Sequence, residues 1–164
     1  MIVLELGDII LRIDQKVFNV LMSFIQDKKD KPESGGILIG YYIDEFSFYI
    51  SDLSIPSEKD KKSRFNFVRS FISAQEVIDN FFKKSKGKKI YLGEWHTHPE
   101  KVPIPSSTDL NSFQNQLKTN KLNSKFIFMV IIGTEGIFVA FYSNSDLMNK
   151  VQLPFVKLLN DLLY

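Results

Sequence analysis

Both histidines of the chain, His96 and His98, stand one residue apart in the stretch Gly93-Glu94-Trp95-His96-Thr97-His98. Read as a strand over residues 90–98, this stretch sends both imidazoles to one face, because side chains two apart share a side of a pleated ribbon. Prolines at 99, 103 and 105 then stop the strand and force a shaped loop. Ser107-Thr108-Asp109 opens a helix whose first turn can bring a carboxylate back toward the imidazoles. Two histidines and one aspartate can hold a borderline ion such as zinc and leave room for a fourth ligand, the arrangement of a catalytic rather than a structural site. Plainer readings stand beside this one. His-x-His can be a pair of exposed or internally bonded side chains, and Ser106-x-x-Asp109 fits a helix capping box. Capping and metal binding can coexist.

A second element lies upstream, in Lys31-Pro32-Glu33-Ser34-Gly35-Gly36 followed by an apolar run. Alone, Glu33 reads as a solvated carboxylate before a paired-glycine turn. Together, Glu33, His96, His98, Ser106 and Asp109 give an upstream glutamate followed by His-x-His, seven residues, Ser, two residues, Asp. This resembles, position for position, the JAMM signature of the JAB/MPN metalloproteases. The compact GEWHTHPEKVPIPSSTD stretch is most similar to bacterial stand-alone members, in particular the deconjugating peptidases of cyclic-oligonucleotide (CBASS) antiphage operons.

The resemblance implies an α/β MPN fold, a central mostly antiparallel β-sheet flanked by helices. It implies one zinc ion per chain on His96, His98 and Asp109, with Glu33 as general base and Ser106 steadying the substrate carbonyl or oxyanion. The implied reaction is hydrolysis of a peptide or isopeptide bond after the C-terminal residue of a ubiquitin-like or conjugated protein, the conjugate in an antiphage setting being a cyclic-oligonucleotide synthase. Trimming of sulfur-carrier precursors shares this chemistry. A non-catalytic MPN scaffold is the reading from another class, although scaffolds usually lose motif residues and all five are present here. Ser106 is no nucleophile, since no third histidine exists to activate it. Glu94, two residues before His96, falls on the same face of the strand, either as a partner fixing an imidazole tautomer or as a surface acid. Trp95 faces the opposite way, into the core.

Composition narrows the field further. At 164 residues the chain is most simply one domain, residues 1–164, with enough length to bury a core. The absence of cysteine removes disulfides, thiolate zinc sites and a cysteine nucleophile, and fits a cytoplasmic setting. MIVLELGDIILRID has no basic lead and carries acids inside its apolar run, unlike a signal peptide. No run approaches the roughly 18 apolar residues of a membrane span. A net charge of +2 gives no footing for nucleic acid or membrane.

Periodicity supplies the elements. Strands are expected at 2–5 and 9–13, then a helix capped by Asp14 that buries Val17, Phe18, Leu21, Phe24 and Ile25. Residues 36–43 and 46–53 form a hairpin, 54–63 a charged surface loop with a substrate flap as its functional version, and 65–69 a strand with Phe65 and Phe67 on one face. Ser73-Ala74-Gln75-Glu76 reads as the capping box of a helix that buries Val77, Ile78, Phe81 and Phe82 and stops at Gly87. Its lysine-rich end, from Lys83 to Lys89, suits a helix C-terminus. Leu110, Phe113, Gln114 and Leu117 mark the next helix. A second hairpin joins 125–133 to 137–142, its first strand apolar throughout and so covered on both faces. An edge strand at 148–153 and a terminal helix behind Pro154, using Val156, Leu159 and Leu163, complete the chain.

Overall fold

A computed structural model describes residues 1–160, with side chains through Leu158. The chain order is β1 (Ile2–Leu6), β2 (Ile9–Ile13), α1 (Gln15–Ser23), β3 (Gly35–Asp44), β4 (Ser47–Leu53), β5 (Lys61–Ser63), β6 (Asn66–Val68), α2 (Phe71–Lys84) and β7 (Ile90–Thr97), followed by α3 (Ser107–Thr119), β8 (Phe126–Ile132), β9 (Gly136–Ser143), β10 (Asp146–Pro154) and α4 (Phe155–Asn160). Eight strands make one mixed sheet in the order β1-β2-β4-β3-β7-β8-β9-β10. Only β2–β4 and β7–β8 pair in parallel, so the expectation of a mostly antiparallel sheet with flanking helices holds.

Strand alternation divides the core between the two faces of the sheet. In β8, Phe128, Val130 and Ile132 pack on the side of α1, with Val17, Phe18 and Leu21. Ile127, Met129 and Ile131 pack on the other side, against Phe113 of α3. Each such fully buried side chain contributes about 1.5–3 kcal/mol, so β7, β8 and β9 form a stiff floor. On that second side α2 covers Ile37 and Ile39 with Ala74, Val77, Ile78 and Phe81.

Strand β7 departs from plain alternation in a way that decides the site. Ile90 and Leu92 face the α1 side, and simple parity would send His96 there too. Instead the pairing with β3 skips a residue between Tyr91 and Gly93, and Trp95 takes the core position. His96 therefore turns toward α2 and α3. Only glycine suits the bulge: Gly93 has φ +153°, and a Cβ there would sit 1.9 Å from the carbonyl oxygen of Phe128.

Several expectations are corrected in detail. Helix α2 begins three residues earlier than the Ser73 box implies, because Ser70 is the N-cap and accepts from the Ser73 N–H. Phe82 points to solvent, while Val77, Ile78 and Phe81 pack as expected. The charged stretch 54–63 is not loop throughout, since Lys61–Ser63 pairs with Asn66–Val68 in a separate two-stranded hairpin, and Phe65 at its tip is exposed. In α4, Val156 is exposed and Leu158 is the buried residue, because Phe155 and Leu158 lie three apart on the inward face. Leu163 lies outside the described residues, as does the side chain of Leu159.

Candidate metal centre

Three elements of different kinds meet at one end of β7. The strand delivers His96 and, just beyond its last residue, His98. The proline-bearing loop then turns the chain so that Ser106 caps α3. Both bonds of a capping box form there: the Asp109 N–H donates to Ser106 Oγ at 3.1 Å, and the Ser106 N–H donates to Asp109 Oδ2 at 2.7 Å. The Ser106 hydroxyl also donates to Asp109 Oδ2, again at 2.7 Å. The cap thus aims the carboxylate, and the two readings of Ser-x-x-Asp coexist in one geometry.

His96, His98 and Asp109 each offer a donor atom, and these atoms lie within 4.8 Å of one another. The two Nε2 atoms are 3.1 Å apart. Asp109 Oδ2 is 3.2 Å from His98 Nε2, and its Oδ1 is 3.6 Å from His96 Nε2. Zinc bonds of about 2.0–2.1 Å put ligand atoms of a tetrahedral site about 3.3–3.4 Å apart, a spacing close to that between the imidazole nitrogens and between each of them and the nearer Asp109 oxygen. A set of two imidazoles and one carboxylate therefore fits a divalent ion in size and in chemistry. Tautomer selection supports the same conclusion. His98 Nδ1 lies 3.3 Å from Glu100 Oε2, so when the imidazole is neutral a proton kept on Nδ1 meets a carboxylate and leaves the Nε2 lone pair for an ion.

Glu33 completes the cluster from the opposite wall. Its Oε1 is 3.6 Å from His98 Nε2, and the residue is buried to 5% exposure. Burial, reinforced by the charges of Asp109 and Glu100 and only partly offset by His98, raises its carboxyl from the ordinary value to about 7. Asp109 goes the other way. Burial opposes its ionisation, yet hydrogen bonds with His96, His98 and Ser106 outweigh that and hold its carboxyl well below the usual range. Burial pulls His98 down, but Asp109, Glu33 and Glu100 together raise it.

Glu94 does share the face of His96, as alternation requires after the bulge. Its carboxylate meets neither imidazole: it pairs with the Arg69 guanidinium, with Tyr91 Oη at 3.3 Å and Gln116 Nε2 at 3.5 Å. The partner of an imidazole is Glu100 instead. Strand parity could not find Glu100, because it lies beyond Pro99, where the strand has ended. These groups open onto a cavity of about 410 Å³ whose lining includes Glu33, Phe67, Arg69, Glu94, His96 and Asp109. The β5–β6 hairpin forms one rim, and a Cβ on Gly35 would lie 2.6 Å from the Phe67 ring, so glycine lets the hairpin settle against β3.

Known proteins bear on this arrangement. A CD-NTase/cGAS isopeptidase of Vibrio cholerae serotype O1 is 33% identical over 119 residues, covering 73% of this chain and 73% of that protein. One from Escherichia coli strain TW11681 is 32% identical over 127 residues, covering 77% and 78%. The solution structure of a Desulfitobacterium hafniense protein superposes with a TM-score of 0.59 over 88% of this chain and 90% of that one. At 15% identity that likeness speaks for the fold alone. Residues 15–146 match the family described as prokaryotic homologs of the JAB domain, a span that holds every residue of the cluster. The chain is a member of the prokaryotic JAB domain family.

Proposed function

We propose that the protein is a zinc-dependent isopeptidase that releases a conjugated protein, a CD-NTase in the first instance, from the amine to which its carboxyl terminus is joined. The observation that carries this reading is the opposed pair of carboxylates, Asp109 and Glu33, around the two convergent imidazoles of His96 and His98. The substrate follows from the likeness to CD-NTase/cGAS isopeptidases, which match 73–77% of the chain.

His96, His98 and Asp109 would hold the zinc ion. When bound, zinc supplies Lewis acidity, which polarises a carbonyl and makes water acidic enough to attack near pH 7. The protein's own groups handle position and protons. Asp109, fixed by the Ser106 cap, keeps its charge and so its place as a ligand. Glu33, buried beside the cluster with its Oε1 3.6 Å from His98 Nε2, accepts a proton from water as oxygen adds to the carbonyl carbon. The C–N bond then breaks, and Glu33 returns the proton to the departing amine. The Ser106 proton serves Asp109 in the resting geometry, so support of a substrate carbonyl by Ser106 requires that bond to be exchanged. The cavity between the β5–β6 hairpin and α3 receives the residues that precede the cleaved bond, with the Arg69–Glu94 pair in its wall.

Expression of Glu33→Ala in the native host tests this directly. Covalent adducts of the CD-NTase should accumulate and then collapse when purified wild-type enzyme is added, but not when a zinc chelator is added with it. Accumulation of an uncut ubiquitin-like precursor in place of adducts would move the substrate to precursor trimming. Adducts that collapse in the presence of chelator would overturn the metal mechanism.

A further inference from the structure

The segment that carries Glu33 has no regular structure of its own, since residues 31–34 run between α1 and β3 without helix or strand. Its position is nevertheless tightly determined. The Glu33 N–H donates to the Ser63 carbonyl at 2.7 Å, tying it to the β5–β6 hairpin. Ser34 is clamped from both sides by Thr97: its N–H donates to Thr97 Oγ1 at 3.0 Å, and its carbonyl accepts the Thr97 N–H at 2.8 Å. The Thr97 hydroxyl in turn donates to Gln26 Oε1 at 3.0 Å. The Gln26 amide nitrogen then reaches two carbonyls, Arg64 at 2.9 Å in the hairpin and Lys31 at 3.2 Å in the Glu33 segment. Gln26 is 2% exposed and Thr97 is fully enclosed.

Every hydrogen-bonding position of the Gln26 amide that faces protein is filled: two N–H donors on two carbonyls, and one oxygen on a hydroxyl. The amide can adopt only one orientation, because reversing it would set oxygen against two carbonyl oxygens. Thr97 stands between the two histidines but projects to the opposite side of β7. It therefore touches the Glu33 segment without touching the donor atoms of the cluster. We infer that Gln26 and Thr97 are a buried positioning pair that sets the Glu33 carboxylate against His98 and fixes the β5–β6 hairpin beside it. The inference rests on the reading of Glu33 as the base.

Thr97→Val is the cleanest probe, since it keeps the shape of the side chain and removes only the hydroxyl. It leaves Gln26 Oε1 and the Ser34 N–H unpaired in a buried site, which favours displacement of the segment. Expected is a kcat about 10–100-fold below the parent, the scale of loss that small misplacements of a reacting group produce. KM should change by less than about threefold, zinc content should stay at the parental stoichiometry, and thermal unfolding should remain cooperative. Thr97→Ser, which restores the hydroxyl, should recover most of kcat, a result that a role in packing alone would not give. Gln26→Leu should lower kcat similarly, and the double variant with Thr97→Val should lose little more than the worse single one, because both break the same chain of bonds. The substrate is the CD-NTase adduct purified from Glu33→Ala cells through a tag on the CD-NTase.

Parental kcat in Thr97→Val, with Glu33→Ala inactive beside it, would overturn the positioning pair and leave the base intact. Failure of Thr97→Ser to recover activity, or losses that multiply in the double variant, would overturn the pair as well. An active Glu33→Ala would overturn the base and, with it, this inference.

Discussion

The two acidic walls of the site are made of the same chemistry and behave in opposite ways. Asp109 stands in the first turn of a 13-residue helix, takes two bonds from Ser106 and faces both imidazoles. Helix dipole, cap and imidazoles all favour its anion. Glu33 stands on an irregular segment, is more enclosed than Asp109, and has its backbone rather than its carboxylate held by hydrogen bonds. One wall is built to keep its charge and the other to change it. Such separation of two carboxyls is how a site divides ligand from proton carrier, and the division can be broken at either wall.

Asp109→Ala should have the largest effect. Zinc and hydrolysis should vanish together, as read by metal analysis and by cleavage of the adduct. Next comes Glu33→Gln, which preserves shape and should lower kcat by about 10²–10⁴-fold with zinc still bound. If Glu33→Gln lost its metal as Asp109→Ala does, the two walls would be equivalent and the division would collapse.

The same contrast is visible without catalysis. In metal-free protein the Glu33 carboxyl titrates near 7 when folded and near 4.5 when unfolded. Between those values the folded state holds the extra proton, so stability falls as pH rises through the window. Glutamine cannot ionise and escapes that loss. Urea unfolding in chelator should therefore show Glu33→Gln gaining on the wild type between pH 5 and pH 8, by on the order of 2–3 kcal/mol. A gap between the two proteins that stayed constant with pH would mean an ordinary carboxyl at position 33 and would overturn the contrast with Asp109.

How much of this could be read from residues alone follows the same line. Motif spacing singles out His96, His98, Asp109 and Glu33, which the fold brings together, and periodicity gives most of the sheet, because both depend on local sequence. The bulge at Gly93 escaped, since it shows only when β7 is laid against β3. Within residues 94–98 parity still held, so the histidines were placed on one face for a reason that did not include how that face was selected. Of the hairpin at 61–68 the second strand is legible within the strand expected at 65–69; the first is not, because Lys61-Lys62-Ser63 carries no apolar alternation and its support comes from Gln26 and Glu33, far away in sequence. Glu94 and Glu100 divide along the same boundary: parity governs the residue inside the strand, whereas tertiary contact governs the one past Pro99.

Glu100 supplies the smallest test, and one that bears on how complete the contrast is. Its carboxylate is half exposed and approaches His98 Nδ1 at 3.3 Å, also accepting the Ile104 N–H at 3.5 Å. Solvent competes for such a contact, so it steers the imidazole more than it binds it. Partners of this kind typically contribute 10–100-fold in metal affinity, and exposure argues for about the lower end. Glu100→Ala should thus weaken zinc about tenfold in a competition titration, while kcat at saturating zinc stays within about threefold. A fall in kcat like that of Glu33→Gln, with zinc saturated, would mean that protons also leave through the exposed wall, and the proton carrier would then be a pair of glutamates rather than Glu33 alone.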